Sequence, residues 1–445
     1  MMKKYLLVLA ACCCVLPGAA LDVLGAYSVR PPEGCVDKDV TSEEMNLEDL
    51  IQVSICTNPS LAAQYMGVKA SEAGLGSSRS EYLPSITLTG TGNIVGERLE
   101  GSSYAQQEPY SGKAEASWLL FDFGGRGSRI GRTRAYLDTA NFAYNAALQE
   151  MVLSVQTAYL NLLAAQESLV SANASLDTYK QSYDEAKKRY KLGMVSLSDK
   201  LQAKTRYEQA LLTVVQAENR VKQFSGALAV LVNLSPDAEI RLAKPQFDDK
   251  TVQIENDNVQ ELMQLALENR PEIHAQESTA EASKENLQAT KTGFLPKLSA
   301  VASASYNDNW KYSSPYKTDA SAGLMLSWPL FSGFSTVYQT QQASYQYKQA
   351  KNQTEGLKRQ VENEVWNAYQ NYKTAVRSYE ISQTVLESAE ENERVAFRYY
   401  EVGKGDIINL LSAVAQLADA RQNKITAFYS LLLSKANLYR SIGKY

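Results

Sequence analysis

One alternating pattern occurs twice in this chain, and any fold has to give both copies equivalent settings. The first opens with Tyr82-Leu83-Pro84 and puts Ile86, Leu88, Gly90, Gly92 and Ile94 on one parity, with Ser85, Thr87, Thr89, Thr91 and Asn93 on the other. After a polar loop the chain returns through Ala114, Ala116, Trp118 and Leu120, with Lys113, Glu115 and Ser117 between them. The second copy opens with Phe294-Leu295-Pro296, goes out on Leu298, Ala300, Ala302, Ala304 and Tyr306, and returns on Ala322, Leu324, Leu326 and Trp328. Period-two alternation over about ten residues is a strand signature. The surroundings repeat too. Pro59 to Pro84 and Pro271 to Pro296 both span 25 residues, and Trp118 to Gly193 and Trp328 to Gly403 both span 75. Equivalent positions differ by 212 before the hairpin loop and by 210 after it. The chain is therefore an internal duplication: repeat 1 at 46–236, a linker at 237–257 and repeat 2 at 258–445, with strand hairpins at 83–123 and 295–331.

Each hairpin has a weakly apolar face and a polar face that carries Lys113 and Glu115 in the first copy and Asp319 in the second. Two settings produce this pattern. One is an amphipathic hairpin of a soluble sheet; the other is a transmembrane strand pair with lipid on one side and a wet lumen on the other. In the second setting Trp118 and Trp328 fall on the lipid parity, where an interfacial aromatic girdle lies. No run of 18 or more apolar residues occurs beyond the N-terminus, so no helix is expected to span a membrane. With 21% charged residues and a net charge of −4, the chain has no nucleic-acid signature.

Residues 1–20 read as an export signal: Lys3 and Lys4, an apolar run from Tyr5, and small residues at Gly18-Ala19-Ala20 before a cut. A competing reading takes Leu9-Ala10-Ala11-Cys12 as a lipobox with Cys12 lipidated. Both export the chain. Cleavage after Ala20 leaves Cys35 and Cys56, an even pair expected to form a disulfide in an oxidising space, with two buried free thiols as the alternative. The bond would staple the extended segment 21–45 to a helix at 47–55.

Helices account for most of the remainder. A short one runs from Asn46 to Cys56, and another from Pro59 to about Ser80 with proline in its first turn, where the missing N–H is harmless. No proline occurs between Pro109 and Pro236, and large side chains from Leu137 to Tyr190 recur at spacings of three, four or seven. A helix from Ser128 to Tyr190 would be about 95 Å long. Gly193 interrupts it, and a return helix runs from Ser196 to Leu234. That return helix and the 59–80 helix together have 61 residues, close to the 63 of the outgoing helix. Repeat 2 has the same plan: Ser335 to Tyr400 against Asp406 to Leu438 plus Pro271 to Thr292. Each half is then a strand hairpin mounted on a long helical hairpin. Four strands in lipid would leave open edges, and each unsatisfied backbone group there costs several kcal/mol. The smallest closed barrels have about 8 strands, so the chain is expected to oligomerise; three copies give 12.

Asn58-Pro59, Leu83-Pro84, Trp118-Leu-Leu-Phe-Asp-Phe-Gly-Gly-Arg126 and Tyr190-Lys-Leu-Gly193 with Ser198-Asp199 come in that order. Their second copies are Arg270-Pro271, Leu295-Pro296, Trp328-Pro-Leu-Phe-Ser-Gly333 and Tyr400-Glu-Val-Gly403. In this order and spacing the chain resembles the TolC-type outer membrane efflux proteins, the exit ducts of Gram-negative tripartite pumps, from roughly Leu47 to Ile442. The resemblance implies a mainly α chain with membrane β: four transmembrane strands per protomer, a homotrimeric 12-stranded barrel in outer membrane lipid, and a periplasmic helical barrel of long α-helical hairpins. It implies a periplasmic adaptor and an inner-membrane ABC or RND transporter as partners, and no cofactor. The Leu-Phe-Asp-Phe-Gly-Gly-Arg stretch and the cysteine before Asn58 lean towards the branch that serves ABC-type protein secretion.

Gly193 and Gly403 mark the helix reversals farthest from the strands, where an adaptor is expected to dock and the duct to constrict. Gly405 is expected to loosen the second reversal relative to the first. By resemblance, Ser198, Asp199 and Tyr400 match positions that hold neighbouring coils together. The family's acidic constriction follows the second glycine; here Ile407-Ile408-Asn409-Leu410-Leu411-Ser412 has no carboxylate. The expectation is a gate of apolar and neutral polar side chains, among them Asn409 and Ser412, with Asp199 and Asp406 the nearby acids. Set against it, Ser198 and Asp406 read as ordinary helix caps.

Signs of catalysis fail on context. Asp122-Phe123-Gly124 lacks every partner of the kinase triplet it matches, Gly124-Gly125-Arg126-Gly127 lacks the Lys-Ser/Thr of a phosphate loop, and Gly74-Leu75-Gly76 follows no strand. His274 is the chain's single histidine, and no metal site or enzyme is expected. The alternative to a duct is a periplasmic coiled-coil scaffold or adhesin stalk with soluble hairpin caps.

Overall fold

The computed structural model describes residues 44–97, 105–243, 254, 257–309 and 316–444. The signal segment 1–20, Cys12, Cys35, nearly all of the extended segment 21–45 and much of the linker at 237–257 lie outside them. Cys56 is disulfide-bonded.

The duplication is visible element by element. Repeat 1 contains α1 (Leu47–Thr57), α2 (Pro59–Arg79), β1 (Ser85–Gly92), the ribbon β2 (Val95–Glu97) and β3 (Ala105–Gln107), β4 (Pro109–Phe121), α3 (Gly125–Lys191) and α4 (Leu197–Leu231). Repeat 2 contains α5 (Val259–Asn269), α6 (Pro271–Lys291), β5 (Lys297–Asn309), β6 (Lys317–Ser327), α7 (Ser335–Glu401) and α8 (Ile407–Ser441). α1 and α5 have 11 residues each, α2 and α6 21, α3 and α7 67, α4 and α8 35. At 1.5 Å per residue, α3 and α7 are each about 100 Å long. No described helix is long and apolar enough to cross a membrane.

Local chemistry explains the boundaries. Asn46 closes a capping box with Asp49 at the start of α1. Asn58 ends α1 and accepts from the backbone of Ser60 in the first turn of α2, next to Pro59. Backbone strain falls at matching sites: Phe123 and Gly124 at φ 54° and 88° in repeat 1, Gly333 and Phe334 at 58° and 63° in repeat 2. These left-handed pairs turn each hairpin into its long helix.

The four longer strands form one antiparallel sheet in the order β1-β4-β5-β6, while β2 and β3 pair separately and extend the first hairpin. The seam between repeats is β4 against β5, with Lys113 opposite Ser305, Glu115 opposite Ser303 and Trp118 opposite Ala300. One detail departs from strict alternation. A bulge between Leu119 and Phe121 moves Phe121, instead of Leu120, into register with Leu298.

The residues divide into two compact units that cut across the repeats. One comprises Met1–Ala63, Met151–Asp248 and Glu380–Tyr429. In it α1 is tied to the end of α4: Ser54 Oγ and Asn58 Nδ2 both donate to the Leu231 carbonyl, at 3.0 and 3.2 Å. The other comprises Gln64–Glu150, Asp249–Tyr379 and Ser430–Tyr445. It holds the sheet and a core built from Leu262, Ile273, Val361, Val365, Leu431 and Leu438. Beside that core, buried Arg270 pairs with Glu272 and Glu364, and Arg440 pairs with Glu272 and Glu150. Burial alone would push the Glu272 and Glu364 carboxyls up, but hydrogen bonds and charge from Arg270 bring both below the ordinary carboxylate range.

Candidate functional site

The residues singled out in the sequence fall in two places: the sheet and the helix reversals.

In the sheet, the register aligns like with like. Leu88, Ala114, Ala304 and Ala320 form one row on one face; Thr89, Lys113, Ser305 and Asp319 form the next row on the other. The apolar face therefore contains Ile86, Leu88, Trp118, Phe121, Leu324 and Leu326, all exposed in the single chain at 45–78%. The polar face is mainly hydroxyl-bearing, and its charges are compensated: Lys113 pairs with Glu115 at 2.5 Å and Lys317 with Asp319 at 3.3 Å. Exposed leucines opposite a hydroxyl-lined face suit a strand between lipid and water, and not one lying over a soluble core.

The indoles are fixed in matching ways. Trp118 Nε1 donates to the Tyr82 carbonyl at 2.8 Å, and Trp328 Nε1 to the Phe294 carbonyl at 3.1 Å. Each acceptor closes the short 3₁₀ turn that leads into the outgoing strand of the same repeat. At the other end of the sheet, a second aromatic group went unnoticed in the sequence: Tyr110 and Tyr306 both donate to Asp308 at 2.8 Å, and Tyr316 stacks on Tyr306. Tyr110 and Trp118 share a strand and a face, about 27 Å apart at 3.4 Å per residue. Two aromatic bands at that separation match the girdles of a membrane barrel.

The strand-to-helix corner of repeat 1 is held by charge. Arg126 is buried, donates to the carbonyls of Leu119 and Leu120, stacks on Tyr82, and packs beside Asp122, which accepts from its backbone N–H at 2.7 Å. Arg129 links Asp122 to Glu81. Repeat 2 has Ser332, Thr336 and Gln339 at the corresponding places; there the Ser332 and Thr336 hydroxyls meet at 3.0 Å and the Thr336 N–H donates to Ser332 Oγ at 3.4 Å. The Asp122-Phe123-Gly124 triplet is thus a structural corner.

At the reversals, Gly193 and Gly403 adopt φ 73° and 74° and close paired bonds of the Schellman type: Gly193 N to Tyr190 O with Met194 N to Arg189 O, and Gly403 N to Tyr400 O with Lys404 N to Tyr399 O. Gly405 does not loosen the second reversal. Its N–H adds a bond to the Tyr399 carbonyl at 3.0 Å, and a Cβ there would lie 3.1 Å from the Tyr400 nitrogen, so glycine permits closer packing. The caps fall at Ser196 and Asp406, equivalent positions, and not at Ser198. Ser196 closes a capping box with Asp199, and Asp406 accepts from the Asn409 backbone at 2.7 Å and from its side chain at 3.0 Å.

Below the reversals the four long helices share a core of Tyr179, Ala203, Tyr400, Ile407, Leu410 and Val414 with their neighbours. Three apolar members of the 407–412 stretch, Ile407, Leu410 and Leu411, are buried in that core; Ile408, Asn409 and Ser412 face outward. Ser198 and Ser412 line one cleft of about 890 Å³ between α4 and α8, with Leu201, Gln202 and Ile408. Tyr400 is 1% exposed, its hydroxyl has no hydrogen-bond partner, and burial pushes its phenol up. What joins the two reversals is a residue the motifs did not single out. Arg189, itself buried, donates to the Glu401 carbonyl at the end of α7, lies 4.7 Å over the Tyr400 ring, and pairs with Glu185 at 3.2 Å. A cation at a helix C-terminus satisfies orphan carbonyls and suits the dipole. Its sequence signal was a basic residue in the last turn of α3; its counterpart in repeat 2 is Tyr399.

The outer membrane efflux protein profile matches residues 50–234 and 262–444, one match per repeat. The chain is 26% identical over 408 residues to protein CyaE of Bordetella pertussis, covering 90% of this chain and 85% of that protein. It is 26% identical over 415 residues to the outer membrane protein TolC of Vibrio cholerae, covering 89% and 90%. Its fold matches the solved structure of CusC with a TM-score of 0.78 at 19% identity, over 92% of this chain and 95% of that one.

Proposed function

The chain belongs to the outer membrane efflux protein family, and we propose that it works as a homotrimer whose 12 strands close one barrel. It is an outer membrane exit duct, which sets aside the coiled-coil scaffold or stalk. The observation that carries the trimer is the sheet itself: an apolar face, a wet face and two unpaired edges, β1 and β6, that lipid does not tolerate. The helical hairpins form a periplasmic tunnel. Its end is the ring of six reversals at Gly193 and Gly403, where a periplasmic adaptor docks and joins the duct to an inner-membrane ABC or RND transporter.

The gate is closed mainly by Ile408, Asn409 and Ser412, with Asp199 and Asp406 as the nearby acids; Ser198 and Tyr400 belong to the same end. The sequence leaning towards ABC-type protein secretion supports a polypeptide cargo. The test is reconstitution. The protein extracted from outer membranes should run as a heat-modifiable trimer and conduct ions in planar bilayers. Asp199→Ala should raise conductance, and Asn409→Ala should change divalent block little. A monomer without conductance overturns the reading, and divalent block that survives loss of both aspartates overturns the gate. Chemical cross-linking followed by co-purification names the transporter, and a drug-efflux transporter would refute the polypeptide cargo.

A further inference from the structure

The polar face of the four long strands carries lysines and carboxylates in unequal number: Lys113 and Glu115 on β4, Lys297 on β5, and Lys317 and Asp319 on β6. Asp308, the remaining charged residue of these strands, has the opposite parity and accepts from Tyr110 and Tyr306. Lys113 and Lys317 are each neutralised two residues along their own strand, by Glu115 and Asp319. Lys297 is exposed and makes no ion pair with a described carboxylate. The register brings Asp122 nearest, one residue past Phe121, which lies opposite Leu298. That carboxyl is buried and committed to Arg126 and Arg129. Nor does the fold ask for a lysine at this place. The equivalent position in repeat 1 is Ser85, whose hydroxyl donates to the Ser117 carbonyl at 3.3 Å, so the strand forms equally well around a short neutral side chain.

Height along the strands follows from the register. Lys297 lies opposite Ser327, which precedes Trp328, whose indole donates to the Phe294 carbonyl. The ammonium is therefore level with the tryptophan band, at the end of the sheet that runs into the helices. A barrel of 12 strands about 4.8 Å apart and tilted about 40° is roughly 24 Å across between backbones. A lysine stem reaches about 6 Å from its Cα, which puts three ammoniums about 6 Å from the axis. In water, with screening over about 8 Å, three unit charges at that distance favour a monovalent anion on the axis about fivefold and a divalent one about twenty-five-fold.

Resting on the trimeric duct of the preceding subsection, we propose that Lys297 of the three copies forms a cationic belt inside the barrel, a site where polyvalent anions dwell in transit. The two lysine–carboxylate pairs leave the rest of the luminal face neutral, so the belt alone sets the sign of the field at this level. The acids Asp199 and Asp406 lie at the far end of the long helices and do not cancel it, because the separation is many screening lengths.

The test uses the full chain in outer membranes, with Ser327→Cys, exposed and directly opposite Lys297, as the reporter. Two water-soluble methanethiosulfonates are compared, one ending in a sulfonate and the other in a trimethylammonium. Lys297→Gln, added to the reporter, should lower the ratio of anionic to cationic labelling rates about twenty-five-fold, since the two reagents respond to the field with opposite sign. Lys297→Arg should preserve the ratio, and Lys113→Gln with Glu115→Gln, which removes a neutral pair, should leave it unchanged. Inorganic pyrophosphate should slow the sulfonate reagent when Lys297 is present and not in Lys297→Gln. A ratio that Lys297→Gln does not move, or pyrophosphate protection that survives it, overturns the belt. A reporter that reacts with neither reagent in a protein that still forms trimers refutes the luminal face and the belt with it. A wild-type protein that is itself monomeric refutes the trimeric duct on which the belt rests.

Discussion

Arg189 is the residue whose removal should most disturb the helix reversals, the end at which the duct is proposed to close. In Arg189→Met the Glu401 carbonyl loses a charge-assisted hydrogen bond, about 2 kcal/mol for a bond to a charged group, and the Tyr400 ring loses a desolvated cation, about 1 kcal/mol. Glu185 is left without its near-buried partner but is 26% exposed and rehydrates. The two reversals should therefore come apart about 3 kcal/mol more easily, close to a hundredfold in the equilibrium between joined and separated ends. Single-channel recording reads this as time spent in the high-conductance state. Arg189→Lys keeps the charge but not the fork, and should fall between wild type and Met. Tyr400→Phe is the contrast: its hydroxyl has no partner, so closure should be unchanged. If Arg189→Met closes as well as wild type while Tyr400→Phe opens, the coupling runs through the phenol and the reasoning fails.

Arg270→Met should lower stability by about 2 kcal/mol, less than for a fully buried ion pair because Glu364 is 40% exposed; thermal unfolding measures it. The carboxyls of Glu272 and Glu364 titrate below their ordinary value when folded, so the stability they supply is complete above about pH 4.5 and drains as pH falls through the folded values. Arg270→Met should flatten that acid limb, and an unchanged limb would show that other groups set it. On the barrel, Leu324→Arg should cost about 2–4 kcal/mol of assembly and Ser321→Arg little; the opposite ranking of heat-modifiable trimer would place lipid on the other face.

The fold was legible because the sequence is written twice. Offsets of 212 and 210, read from prolines, tryptophans and glycines, carry every described α-helix of repeat 1 onto its counterpart, α1 onto α5 included, although the sequence reading assigned no helix at 259–269. Its apolar face, with Leu262 and Ala266 buried, repeats the setting of α1 and was open to the same offset. The faces of the sheet followed from parity, and only the bulge at Leu120 escaped, since nothing in Leu-Leu-Phe distinguishes an extra residue from a continuing strand. The helix reversals were less legible. Glycine and cap chemistry are local, so Gly193, Gly403 and Asp406 could be placed, although Ser198 was put where Ser196 caps. Arg189 acts across 212 residues on a backbone carbonyl, and its neighbours Lys188 and Lys191 look equally basic in sequence. Tyr400 was expected by resemblance to hold neighbouring coils together; within the chain its ring lies under Arg189 and its hydroxyl has no partner.

The central claim is that one face of the β1-β4-β5-β6 sheet lines water while the other meets lipid. Cysteine substitution along β4, one residue at a time from Lys113 to Ser117, tests it most directly with a membrane-impermeant, water-soluble thiol reagent applied to outer membranes. Cysteines at 113, 115 and 117 should react and those at 114 and 116 should not, in strict alternation. Equal labelling at all five positions would mean a hairpin standing in water on both sides, and the duct would not be built from this sheet.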